Sequence, residues 1–392
     1  MMPKPVGMEV SFAAAEAVRL ANVDVIAAYP ITPQTHIVER LSQIVADGEL
    51  DAEYICVESE HSAMSACAGA SAAGARAFTA TAGQGLELMH EMVYVVSSMR
   101  LPVVMAVCNR ALSAPLSVWS DHSDVMAVRD CGWIQVFAEN GQQVVDLILW
   151  AFRVSEDPRV LFPTMVHLDG FHLTHVIEPV VLPDQSRVEE FIPEYCHPFP
   201  LDPERPVTMG AYGPPFIYSE AKKAQEVALR STKSVILEGW KEFEASFGRS
   251  YKPIESYRLD DAEVALLTMG SVGETATIAV DRSRRKGKKV GLIRLRLWRP
   301  FPFEELRESV KHIKLLIVLD RAISFGGPGG PVASEVRSAL YHLRSRPKVI
   351  NFIAGLGGRD ITPEVFDHML KRALEISARG QEGEFEIIGV RE

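Results

Sequence analysis

The chain has 392 residues, 47% of them hydrophobic and 23% charged, with a formal net charge of −10. That composition suits a globular protein that buries large cores in roughly two to three domains. The acidic balance argues against a general nucleic-acid binder, because phosphate contacts need clustered Lys and Arg. The one basic run, residues 282–289, is broken by Ser283 and Gly287 and reads as a helix end and turn before a strand.

The start, Met1-Met2-Pro3-Lys4-Pro5, leads into an alanine-rich helix rather than a cleavable apolar core. Apolar stretches are too short or too interrupted to span a bilayer at about 20 residues. The expectation is a cytoplasmic protein without a membrane partner. The five cysteines form no C-x-x-C pair and no Cys/His cluster with zinc spacing. Iron–sulfur ligation by Cys runs is likewise not expected on this chain, so redox centres would need another one.

From the N-terminus, strand and helix patterns alternate. Helix patterns occupy residues 12–21, 34–45, 62–74, 86–98, about 124–130 and 142–155. Strand patterns occupy 23–28, 54–57, 77–81, 103–108, 134–137 and 160–168. Such alternation predicts an α/β fold with a parallel sheet and helices on both faces. Helix 62–74 is rich in Ala, Ser and Gly, which lets it approach the sheet or a ligand closely. Between residues 176 and 206 the pattern collapses into recurring prolines and predicts an extended surface arm. Two amphipathic helices, at about 219–231 and 235–247, follow. A second, smaller Rossmann-like unit begins at Ala262. Its strands are expected at 264–269, 290–295, 315–319 and 349–353, and its helices at 275–285, 303–311, 332–343 and 363–377. The predicted domains are residues 1–175, a connecting arm 176–258, and residues 259–392.

The most informative segments lie just beyond strands, where ligands bind in open parallel sheets. Tyr29-Pro30-Ile31-Thr32-Pro33 follows the first strand and Glu58-Ser59-Glu60-His61 the second. Thr32 presents a hydroxyl at a strand end. On spacing alone it fits first as an N-cap for a helix whose first turn holds Pro33, and it can serve as a ligand contact as well. Glu60 near a helix start is favoured by the dipole, so a solvated first-turn carboxylate and a desolvated one facing a cofactor both fit. Arg110, in Asn109-Arg110-Ala111-Leu112-Ser113, fits either a carboxylate-gripping fork or a structural ion pair. Asp121 fits a helix cap. The glycine turns Thr81-Ala82-Gly83-Gln84-Gly85, Gly270-Ser271-Val272-Gly273, Gly326-Gly327-Pro328-Gly329-Gly330 and Gly355-Leu356-Gly357-Gly358-Arg359-Asp360 are weak nucleotide signals. None is a P-loop or a clean G-x-G-x-x-G.

Taken together, residues 29–33, 58–63, Gln84-Gly85-Leu86, 109–113 and 121–126 resemble the α subunit of 2-oxoacid:ferredoxin oxidoreductases, pyruvate:ferredoxin oxidoreductases in particular. The likeness runs over essentially the whole chain. It implies a thiamine-diphosphate pyrimidine-binding domain followed by a transketolase C-terminal-like domain. It implies reversible oxidative decarboxylation of pyruvate with coenzyme A to acetyl-CoA and CO2, with electrons passed to ferredoxin. Glu60 matches the glutamate that hydrogen-bonds the aminopyrimidine N1′ of thiamine diphosphate. Pro30, Ile31 and Gln84 match cofactor contacts, and Thr32 and Arg110 match residues that hold the 2-oxoacid. The family's diphosphate and Mg²⁺ segment is Gly-Asp-Gly with a later Asn. Leu168-Asp169-Gly170 lacks the first Gly and is read as not that site, so no metal ligand is expected here. The resemblance implies that a β subunit brings the diphosphate half and Mg²⁺, and that γ and δ subunits complete the complex, with iron–sulfur clusters on partner chains. Three other readings stay open: a relative acting on 2-oxoisovalerate or 2-oxoglutarate, a β-type subunit of a lipoamide-linked dehydrogenase, and a non-catalytic module.

Overall fold

A computed structural model describes residues 4–380 and 385–391; Met1, Met2 and Pro3 of the N-terminal run lie outside it. The first half of the chain runs β1 (Val6–Glu9), α1 (Val10–Leu20), β2 (Val25–Ala28), α2 (Thr35–Ala46), β3 (Glu53–Cys56), α3 (Glu60–Ala72), β4 (Ala77–Thr81), α4 (Gly83–Leu88), α5 (His90–Ser98) and β5 (Val104–Asn109). It continues through α6 (Ser123–Ala127), β6 (Ile134–Phe137), α7 (Gly141–Ser155), β7 (Thr164–Asp169), β8 (Ile177–Val180), α8 (Gln185–Phe191) and α9 (Pro215–Phe247). The remainder is β9 (Ile254–Tyr257), β10 (Val264–Thr268), α10 (Val272–Arg285), β11 (Val290–Leu295), β12 (Leu297–Arg299), α11 (Phe303–Ser309), β13 (Leu315–Asp320), α12 (Pro331–Leu340), β14 (Lys348–Ile353), α13 (Pro363–Arg379) and β15 (Glu386–Ile387).

The first sheet has the order β12-β6-β7-β5-β4-β2-β3, parallel except for β12. Every residue of its central strands β4, β5 and β7 is buried. That is why those strands read as continuous apolar runs rather than alternating ones. Helices α1 and α7 cover one face, with Trp150 of α7 stacked on Trp240 of α9 at a centroid distance of 5.0 Å. Helix α3 packs on β2 and β4 from the other side through Met64 and Cys67. The second sheet, β15-β14-β13-β10-β11-β9, is parallel except for β9. Among the described residues, no helix is long and apolar enough to cross a membrane.

Three expectations need correction. The proline-rich stretch is not an extended arm throughout. Its β8 pairs antiparallel with β1 in a two-stranded ribbon, and α8 follows. The two helices expected at 219–231 and 235–247 are one 33-residue helix, α9. No Gly or Pro interrupts residues 231–235, and Ser231 and Thr232 turn their hydroxyls onto helix carbonyls instead of breaking it. Gly248 then ends it in a left-handed cap at φ +74°. The helix expected at 86–98 is divided at Met89, which leaves helical geometry between α4 and α5. One strand has no counterpart in the sequence reading: β12 belongs to the chain beyond residue 262 yet pairs with β6 of the first sheet, Leu297 facing Val136.

Candidate active site

The carboxyl ends of β3, β2, β4 and β5 lie side by side, and each predicted site residue follows one of them. After β2, Tyr29, Pro30 and Thr32 are exposed, while Ile31 packs partly into the core. Thr32 does not cap α2. That position belongs to Gln34, whose side chain does something else, and Pro33 precedes it rather than entering the helix. The wholly buried Gln34 amide donates to Ala80 O at 2.7 Å and to Tyr29 O at 3.3 Å, and accepts from Ile31 N at 3.4 Å. It therefore fastens the Tyr29–Ile31 turn onto the neighbouring strand.

Glu60 is the first residue of α3, behind the N-cap Ser59, whose hydroxyl accepts from Ser62 N. The two glutamates of the segment separate cleanly. Glu58 is exposed and holds the Ser62 hydroxyl at 2.7 Å, which lowers its pKa. Glu60 is buried, 5% exposed, and no described residue hydrogen-bonds its carboxylate. It lies against the turn after β4. A Cβ on Gly85 would stand 2.5 Å from Glu60 Oε1 and 2.5 Å from Thr81 Oγ1. Only glycine permits that approach. In the same turn, both amide atoms of Gln84, the Thr81 hydroxyl and Glu87 Oε1 are buried without a partner among the described residues. Burial pushes the Glu87 carboxyl up to about 7. Buried polar groups are ordinarily satisfied, so this cluster marks a place shaped for a polar ligand.

Arg110 is 7% exposed and forms no ion pair among the described residues, so the structural-pair reading fails. Its Nε donates to Ser117 O at 2.9 Å and its Nη1 to Thr32 O at 3.0 Å. Its stem crosses Gly83, where φ is +46° and a Cβ would lie 3.1 Å from Arg110 Cδ. Thr32 and Arg110 are thus brought together, and both Nη2 hydrogens remain for a ligand. Burial lowers the Arg110 pKa, with the nearby Asp124 opposing that shift.

Asp124 was not anticipated. One oxygen accepts from Gly83 N at 3.1 Å and Arg110 N at 2.9 Å; the other accepts from Asn109 Nδ2 at 2.9 Å. It stitches the turn after β4 to the end of β5. Burial pushes its carboxyl up to about 7 against the pull of those hydrogen bonds. Gln34 was also missed as a site-building residue; its place after Pro33 is a weak signal. Gly85 was legible as part of the Gln84-Gly85-Leu86 turn, but not the close approach of Glu60 to it.

The other glycine turns serve the chain itself. Asp169, 1% exposed, accepts from Ser120 Oγ, His122 Nε2, Arg321 Nη1 and both Ser271 donors of the Gly270 turn. Those partners hold its pKa well below the usual carboxylate range. Gly330 N donates to Asn351 Oδ1, and Gly357 N to Asp121 Oδ2. Asp121 also holds Ser123, as a cap would.

Residues 16–239 match a family model described as "Pyruvate flavodoxin/ferredoxin oxidoreductase, thiamine diP-bdg", and residues 262–366 match "Pyruvate:ferredoxin oxidoreductase core domain II". The chain is 50% identical to pyruvate synthase subunit PorA of Pyrococcus abyssi, over 97% of this chain and 96% of that one. It is 47% identical to ketoisovalerate oxidoreductase subunit VorA of the same organism, over 92% and 91%. Among solved structures, a 2-oxoglutarate:ferredoxin oxidoreductase from Magnetococcus marinus superposes with a TM-score of 0.74 at 20% identity, covering 95% of this chain and 66% of that one. At that identity the likeness speaks for the fold.

Proposed function

The chain belongs to the α-subunit family of pyruvate:ferredoxin oxidoreductase, and from that premise we propose how its residues divide the work. The reaction is the oxidative, reversible decarboxylation of pyruvate with coenzyme A to acetyl-CoA and CO2, ferredoxin taking the electrons. Thiamine diphosphate, when bound, supplies the electron sink for decarboxylation.

The residues at the rim fit its aminopyrimidine. Glu60 offers a buried carboxylate without a partner among the described residues, and Gln84, the residue before Gly85, an amide that is likewise unpaired among them. We assign Glu60 to hold a proton at the ring nitrogen it faces, and Gln84 to a further polar contact on the ring. Pro30 and Ile31 supply an apolar wall. Arg110, steadied at two carbonyls, grips the carboxylate of the 2-oxoacid through its free Nη2, and Thr32 stands next to it. Each charge-assisted bond of that kind is worth roughly 1.5–3 kcal/mol.

The diphosphate and Mg²⁺ we assign to a β subunit. Asp169, in the nearest relative of a Gly-Asp-Gly segment, is already filled by its own chain's donors. Iron–sulfur clusters belong, in this reading, to the partner chains of a cytoplasmic complex that includes γ and δ subunits.

The observation that carries the proposal is the buried, unpartnered Glu60 carboxylate over Gly85. The test is Glu60→Gln in the assembled complex. Turnover should fall about 10²-fold or more, as for a positioned acid–base group. Unchanged turnover points to the non-catalytic module. A second reading, 2-oxoisovalerate as the acid, is kept by the VorA-type relative at 47% identity. The exposed, small Thr32 favours pyruvate. Comparing kcat/KM for pyruvate, 2-oxoisovalerate and 2-oxoglutarate decides between them.

A further inference from the structure

The second unit reaches the rim through the loop after β5. The loop after β5, residues 111–121, folds back so that Ala111 N donates to Trp119 O at 3.0 Å and Ser117 O receives Arg110 Nε. The far side of this loop is held by residues from beyond 262. Arg321, 3% exposed, donates Nη2 to Ser120 O at 3.0 Å and Nη1 to Asp169 at 2.6 Å. Its own carbonyl accepts from His122 N at 2.8 Å. Gly357 N donates to Asp121 Oδ2 at 3.0 Å. Gly358, at φ +79°, leaves room for the root of the Trp119 side chain; a Cβ there would stand 2.3 Å from Trp119 Cβ and 3.1 Å from its Cγ. The left-handed turn at Gly355, Gly357 and Gly358 is what presents these groups.

We propose that Arg321 and the glycine turn at residues 355–358 form a positioning clamp for Arg110. They act through Ser117, Trp119, Ser120 and Asp121, so the second domain sets the enzyme's hold on the 2-oxoacid carboxylate. The proposal rests on Arg110 being the carboxylate grip. Nε of Arg110 bonds to the loop and not to the strand, so a loop that shifts carries one of the two anchors of the guanidinium with it. Displacements of about 1 Å at a distance from the chemistry cost up to about 10²-fold. The clamp touches neither Glu60 nor the turn at Gln84, so its loss weakens substrate binding before it affects cofactor activation.

The experiment uses the assembled complex, pyruvate as the varied substrate and a viologen dye as electron acceptor. Variants are Gly358→Ala and Arg321→Lys, which keeps the charge beside Asp169 but cannot also reach Ser120. Arg110→Lys is the reference. Gly48→Ala is the control, since Gly48 has φ +73° with nothing within 4 Å of its Cβ position, giving equal backbone strain without the contact. Gly358→Ala and Arg321→Lys should each raise KM roughly tenfold while kcat stays within about threefold, the signature of lost binding. The control should leave both constants unchanged. Parental KM in both clamp variants, in a series where Arg110→Lys raises it, overturns the clamp and leaves the reading of Arg110 standing. An unmoved KM in Arg110→Lys overturns that reading and the clamp with it.

Discussion

Gly85 offers a sharp test because local propensity and site geometry predict opposite outcomes. Gly85 sits inside α4, where Ala is normally favoured by about 0.8–1.0 kcal/mol. Propensity alone therefore predicts that Gly85→Ala stabilises the protein. Yet the new methyl would lie 2.5 Å from Glu60 Oε1 and Thr81 Oγ1. Ordinary contact begins near 3.4 Å, so the Glu60 carboxylate must retreat by roughly 1 Å, enough to cost on the order of 10²-fold in turnover. The assay is steady-state viologen reduction by the assembled variant complex, with thermal unfolding measured alongside. A drop in kcat of about 10²-fold with unfolding within a few degrees of the parent is expected. Combining Gly85→Ala with Glu60→Gln should do little further harm, because both act on one carboxylate. Parental turnover in Gly85→Ala, or fully multiplicative losses in the double variant, would refute the placement of Glu60 over this turn.

Removing the Gln34 amide by Gln34→Ala takes a donor from the buried Ala80 carbonyl and from the part-buried Tyr29 carbonyl and should destabilise the protein by about 1–3 kcal/mol, read from chemical denaturation; KM for the 2-oxoacid should rise as the Thr32 turn loosens. Asp124→Asn should alter the pH dependence of stability. The Asp124 carboxyl rises from 3.8 in the unfolded chain to about 7 in the native one. Its contribution is therefore fully present below about 3.8 and is lost as pH rises through about 7. The Asn variant cannot ionise, and the Asn109 amide, whose Oδ1 has no partner among the described residues, can turn to meet it. The variant should gain on the parent in thermal unfolding between pH 4 and 7. Parallel curves over that range would count against the buried carboxylate.

Local pattern revealed the repeating strands and helices of both sheets, because each is a run of the right period bounded by Gly, Pro or polar residues. It failed where long-range pairing decides. Val6–Glu9 and Ile177–Val180 are four residues each, and Pro179 argues against a strand, yet they pair across the chain as a ribbon. Leu297–Arg299 is three residues long and takes its identity from β6. At the rim, Thr32, Glu60, Gln84 and Arg110 were each legible as strand-end residues. Their supports were not. Asp124 looks like any acidic residue near a short helix, and only the fold brings Gly83 N and Arg110 N to one of its oxygens. Choosing Glu60 over Glu58 needed the family register; the fold buries Glu60 and leaves Glu58 exposed.

Strand β12 has an implication for how such a protein can be rearranged. The first sheet is finished by three residues that the chain supplies only after it has built β10, α10 and β11 of the second. A cut between residues 248 and 262 would strip the partner from the β6 edge and expose a row of unpaired backbone groups. The two α/β units are therefore not interchangeable cassettes. A recombinant that exchanges the second unit between relatives must keep Leu297 to Arg299 matched to the β6 it receives, or it trades substrate preference for an open, adhesive sheet edge.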